Sequence, residues 1–104
     1  MPPIHVDAGD VVVGTRLRWL RTKQGLTQPQ LAKKLGILQS SVSRYESGRT
    51  SLSFSEIVEI CKVLDEDPSV FFVAAVMLLN SDVVKNALVE IHKERKADFL
   101  RSLN

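Results

Sequence analysis

The 104 residues predict an all-α fold of five short helices followed by one longer C-terminal helix. Three observations predict it. Gly25, Gly36, Gly48, Pro29 and Pro68 interrupt the chain at short intervals. Capping residues stand beside several of these breaks, and the apolar residues between them recur three and four apart. No stretch alternates convincingly as a strand would.

Each element follows from its local chemistry. Asp10 is expected to cap a first helix with Val13, Leu17 and Leu20 on one stripe, and Gly25 stops it. Thr27-Gln28-Pro29-Gln30 has the form of a capping box, with Pro29 in the first turn where its missing N–H costs nothing. The second helix, about eight residues long, turns Leu31, Ala32 and Leu35 inward and Lys33 and Lys34 outward, and ends at Gly36. Only Gly36-Ile37-Leu38 separates it from a third helix, so the two must cross steeply, with Ala32 at the crossing and Ile37 and Val42 filling the corner. Ser53-Phe54-Ser55-Glu56 is a second capping box, opening a helix with Ile57, Ile60, Cys61 and Leu64 on one face. Asp67-Pro68 starts a fifth helix, apolar on all sides through VFFVAAVMLL. Asn80 or Ser81 is expected to cap the sixth, which runs to about Leu103.

Composition bounds the function. One domain of this length buries a core without disulfide or metal. The lone Cys61 reads as a small buried hydrophobe in a reducing compartment. MPPIHVDAGD has neither a basic start nor an apolar run, and the longest apolar stretch, Val70 to Leu79, falls far short of a membrane span. The expectation is a cytoplasmic protein without membrane contact. His5 and His92 lack a second ligand at metal spacing, the serines lack a paired His and acid, and no glycine loop fits a phosphate. No cofactor or metal is expected, and no enzymatic activity. Charge, by contrast, is informative: Arg16 to Arg49 contains eight basic residues and one acidic, the rest of the chain six and eleven. A basic segment joined to an acidic one suggests that the first meets a polyanion.

The third helix, within QSSVSRYESG (39–48), spends its surface unusually. Val42 and Tyr45 form its apolar edge, while the opposite side presents Gln39, Ser40, Ser43 and Arg44 in place of the usual Glu, Lys and Ala. These are the groups that read base edges: Gln pairs with adenine, Arg forks onto guanine, and Ser bonds to either. The second and third helices together have the layout of a helix-turn-helix, whose latter helix enters the major groove.

From about Leu17 to Phe72 the chain resembles the lambda-repressor-like, Cro-type (XRE) helix-turn-helix family. The match rests on LTQPQLAKKLGILQSSVSRYESGRT, with Ala32, Gly36, Ile37, Val42, Glu46 and Gly48 at the family's spacings. The resemblance implies a five-helix lambda-repressor-like DNA-binding domain, here with an additional C-terminal helix. It implies that Gln39, Ser40 and Arg44 contact bases, with Ser43 beside them. Gln28, Arg49 and Thr50 would contact phosphates, Gln28 also bracing the recognition helix. Arg21 and Glu46 would form an internal ion pair. Leu38 is a departure, because members often place Ser or Thr at that cap, whose loss costs about 1 kcal/mol. Either Leu38 reaches a thymine methyl or Ser40 or Ser41 caps instead. Tyr45 also stands where a smaller aliphatic is common.

The expected organisation is an N-terminal arm (1–9), a DNA-binding domain (10–72) and a C-terminal helical extension (73–104). Val84, Leu88 and Ile91 form one apolar stripe on the last helix, resumed by Phe99, Leu100 and Leu103 after HKERKAD. A single compact fold has difficulty burying both ends, so this stripe is expected to join the fifth helix in a homodimer interface. Trp19 lies off the first helix's stripe and is expected to pack at an edge. The function expected is a sequence-specific regulator, by default a repressor, reading a palindromic operator in double-stranded DNA. The rival is a protein-interaction module or antitoxin that keeps the scaffold and binds a protein partner through the C-terminal helices.

Overall fold

The computed structural model describes residues 7–79 and 82–103, excluding the side chains at 83–85, 87–88, 91–92 and 95. It is all-helical among the described residues: α1 Ala8–Lys23, α2 Gln28–Leu35, α3 Gln39–Glu46, α4 Phe54–Val63, α5 Pro68–Met77 and α6 Asp82–Ser102. Both capping boxes form. The Thr27 side chain accepts from the Gln30 amide while the Gln30 side chain accepts from the Thr27 amide, and Ser53 and Glu56 exchange the same bonds. Asp67 caps α5 by accepting from the Ser69 amide at 2.8 Å.

The start of α1 differs from expectation. Asp7, not Asp10, is the cap, accepting from the Gly9 amide at 2.7 Å. Asp10 lies in the first turn, and its carboxylate instead accepts from the Ser51 hydroxyl at 2.6 Å.

Tight turns follow the first three helices. Gly36 takes a left-handed φ of 69°, and the Ile37 amide reaches back to the Ala32 carbonyl at 3.0 Å. Gly25 and Gly48 occupy the same region. After α4 the residue with positive φ is Asp65, a type of residue that tolerates this conformation through its short polar side chain.

Leu17, Leu20, Leu31, Ala32 and Val42 meet Ile57, Ile60, Cys61, Leu64 and Phe71 in one core. Each large aliphatic buried there contributes about 1.5–3 kcal/mol. Ile37 fills the corner only in part, remaining 37 % exposed. Gly14 sets the closest approach: a Cβ on it would lie 2.2 Å from the Tyr45 carbonyl oxygen and 2.7 Å from that of Glu46. The backbone of α1 therefore seats directly on the end of α3.

α5 turns Phe71 and Ala75 into the core, but Val70, Val73, Val76 and Met77 stay exposed. Among the described residues, α6 lies chiefly along α1. The expected cap at Asn80 or Ser81, residues 1–6 of the N-terminal arm with His5, and the side chains of Val84, Leu88, Ile91 and His92 lie outside the described residues.

Candidate nucleic-acid interface

The face proposed to read bases is assembled by one short helix and its supports. α3 begins at Leu38 in extended conformation, with no side-chain hydrogen bond at the cap. Neither Ser40 nor Ser41 supplies one. Leu38 is 71 % exposed. Gln39, Ser40, Ser43 and Arg44 all lie exposed on one side, opposite buried Val42 and half-buried Tyr45. Arg44 Nη2 lies 3.4 Å from Ser41 Oγ, a long contact that leaves the guanidinium directed outward.

Behind that face sits a buried carboxylate. Glu46 is 3 % exposed, in the last turn of α3. Arg21 donates to it twice, from Nε to Oε2 at 2.6 Å and from Nη2 to Oε1 at 3.0 Å. Gln28 Nε2 donates to Oε1 at 3.0 Å, and Arg18 Nε approaches the same oxygen at 3.4 Å. Arg21 uses its remaining nitrogen on the Leu26 carbonyl at 2.8 Å. One acid thus ties α3 to both α1 and α2, through a two-pronged guanidinium contact of the strong, geometrically specific kind. Its charge is neutralised internally, so it does not oppose a polyanion.

Residues 17–71, more than half the chain, match the helix-turn-helix family HTH_3. The chain belongs to this helix-turn-helix family. Among its relatives is an uncharacterised HTH-type transcriptional regulator of Sinorhizobium medicae, 35% identical over 63 residues, covering 61% of this chain and 45% of the relative. Antitoxin PezA of Streptococcus pneumoniae is 33% identical over 100 residues, covering 88% of this chain and 59% of PezA. The chain thus spans about half the length of these relatives. The crystal structure of the restriction-modification controller protein C.AhdI from Aeromonas hydrophila superposes with a TM-score of 0.59 at 38% identity, covering 64% of this chain and all of C.AhdI. The lambda-repressor-like, Cro-type fold expected from the sequence is the fold found.

Beyond α3, the helix-turn-helix unit places Arg49 and Thr50 in the exposed loop after Gly48. Arg49 is engaged by Glu94 of α6, so the extension reaches the rim of the candidate interface. Gln28, half-buried, donates one of its two amide N–H groups to Glu46. Sequence reasoning missed Arg18 as a further member of the Glu46 cluster, and Gly14 as the residue that admits α3. A glycine inside a helix is a local cost, and that was the available signal for Gly14.

Trp19 lies at an edge, 44 % exposed, with the Arg16 guanidinium carbon 3.9 Å and Lys23 Nζ 4.7 Å from its ring centre. Arg16 is itself paired with Glu66 at 2.9 Å. Trp19 borders the exposed flank of α5, across a groove shared with Ala74, Met77 and Leu78. On α6, Leu100 is exposed and Phe99 half-buried, and Leu103, just past the helix, is exposed. Among the described residues no helix is long and apolar enough to cross a membrane.

Proposed function

We propose that this chain is a sequence-specific DNA-binding transcriptional regulator, acting in the cytoplasm as a repressor on a palindromic operator. The observation that supports it is the outward face of α3: exposed Gln39, Ser40, Ser43 and Arg44, with the helix's one acid buried behind them. In this reading Arg44 forks onto a guanine, and the amide and hydroxyls pair with neighbouring base edges. Gln28, Arg49 and Thr50 hold phosphates at the rim. A phosphate then competes with Glu94 for Arg49.

A homodimer completes the reading, because two recognition helices one turn apart fit two half-sites. The uncovered flank of α5, with Val70, Val73, Val76 and Met77, favours an interface there, since contiguous exposed apolar surface marks association sites. Leu100 and Leu103, at the far end of the C-terminal extension, are further exposed apolar residues that a second copy would cover. A second reading, an antitoxin-like protein with a partner on the C-terminal helices, is favoured by one observation. The PezA similarity covers 88% of the chain, the S. medicae regulator's 61%.

Selection of bound duplexes from a random pool, with wild type beside Arg44→Ala, tests the first reading. A palindrome enriched by wild type, relaxed at one position per half-site by the substitution, upholds it. Diffuse enrichment removes the specificity claim. No enrichment at low salt transfers weight to the protein-partner reading.

A further inference from the structure

On the side of α3 away from its reading face lies a cavity that DNA recognition does not use. α3 packs chiefly against α1 and α2, and between it and α4 a space of about 240 Å³ remains open. Leu35, Ile37, Leu52 and Ile60 line it, and Tyr45 forms one wall. The tyrosine, like Leu38, departs from the family pattern, and its hydroxyl is weakly committed. It lies 3.5 Å from Glu56 Oε2, the outer limit of a hydrogen bond.

Two of the four polar side chains lining this cavity are acidic. Glu56 and Glu59 stand at i and i+3 on α4, both among the lining residues. The Ser53 backbone amide holds the Glu56 carboxyl below its ordinary value of 4.5, so it is charged at neutral pH. Glu59 pairs with Lys62 at 3.2 Å, but both side chains are 68 % exposed and such a pair holds weakly. An apolar floor with two carboxylates beside it selects against anions and against neutral polar molecules alike.

We propose that this cavity binds a small primary amine whose apolar body is about the size of one aromatic ring. The ammonium supplies three donors, matching the Glu56 and Glu59 carboxylates and the Tyr45 hydroxyl. The size follows from volume: a cavity of about 150 Å³ accepts benzene, so this one has room for a ring and a short tail. The inference stands apart from the DNA reading and needs no operator to test.

The test titrates the full-length protein with 2-phenylethylamine, alongside 2-phenylethanol as the uncharged analogue, following backbone amide resonances. The expected result is saturable movement of resonances from residues 35–37, 45 and 52–60, with the alcohol binding about tenfold more weakly or worse. Glu59→Gln should weaken the amine about tenfold without changing the alcohol. Ser55→Leu, which places bulk among the lining residues, should abolish both. Thermal melting of each variant checks folding, and Glu59→Gln, at an exposed position, decides even where Ser55→Leu does not fold. Absence of saturation by about 10 mM amine overturns the proposal. Equal binding of amine and alcohol to wild type also overturns it, leaving only a non-specific apolar groove.

Discussion

Glu46→Gln removes one charge and leaves the shape of the side chain almost intact, so its effect isolates the electrostatic anchor of α3. The wild-type carboxylate is inaccessible, and Arg21, its main partner, is only 11 % exposed. The amide oxygen of Gln can accept one of Arg21's two bonds, but its NH2 group turns a donor toward donors. Removing one member of a buried pair costs roughly 3 kcal/mol at the lower end of its range. The lower end applies because Arg21 keeps its bond to the Leu26 carbonyl. Against a total of about 5–15 kcal/mol for a domain of this size, that is a large fraction. The expected fall in melting temperature is on the order of 15 °C. Arg18→Ala should shift stability by less than about 0.5 kcal/mol, because that side chain is 58 % exposed. The assay is thermal unfolding by far-UV circular dichroism, with the double variant Arg21→Met/Glu46→Leu completing the comparison. Replacing both charges by apolar groups should recover most of the loss, since an apolar pair needs no desolvated partner. A Glu46→Gln protein within about 1 kcal/mol of wild type would refute the reasoning, placing the anchor in packing and not in charge.

Gly14→Ala should cost about 2–3 kcal/mol by chemical denaturation despite Ala's better helix propensity, because the added Cβ meets backbone carbonyls that cannot rotate away. Cys61 is fully buried, and burial pushes its thiol pKa up, so it stays protonated at neutral pH. Iodoacetamide should label it only after unfolding, which mass spectrometry reads directly. Glu56 has a depressed pKa in the folded state, so its contribution is present above the ordinary value of 4.5 and lost as pH falls through the folded value. Glu56→Gln keeps an acceptor for the capping box but does not titrate; melting curves below pH 4.5 should therefore fall less steeply with acid than wild type. Glu94→Gln removes one carboxylate that engages Arg49, and operator affinity at low salt should rise, by up to about fivefold, measured by fluorescence anisotropy.

What the sequence disclosed was chemistry confined to a few neighbouring residues. The boxes Thr27–Gln30 and Ser53–Glu56 and the cap at Asp67 are each written within four residues, and each forms. The inward stripe Ile57, Ile60, Cys61 and Leu64 is likewise a matter of spacing along one helix, and all four are buried. The misplaced cap at Asp10 is different: the carboxylate's partner is Ser51, 41 residues away, which no local pattern discloses. The same is true of the candidate site. The polar face of α3 was legible because its residue types are unusual for a surface helix. The second arginine on Glu46, the seating of α3 on Gly14 and the cavity beside Tyr45 exist only once α1, α3 and α4 are brought together. The uncovered flank of α5 was half legible, since an all-round apolar helix demands cover but does not say what provides it.

Glu46 shows why a conflict with local rules points to a site. A carboxylate in the last turn of a helix faces the negative end of the helix dipole, and burial disfavours its charge as well. Both local arguments oppose an acid there. Arg21, Gln28 and Arg18 reverse them together, and in doing so fix the angle of α3 against α1 and α2. An apolar residue at position 46 would satisfy the core but would not set that angle through directional bonds. An exposed acid would repel a polyanion. The buried, multiply bonded acid meets both demands, and a helix with that anchor can leave its entire outer face to Gln39, Ser40, Ser43 and Arg44. Natural chains break local rules mainly where function requires it, and here the broken rule lies directly behind the face proposed to read DNA.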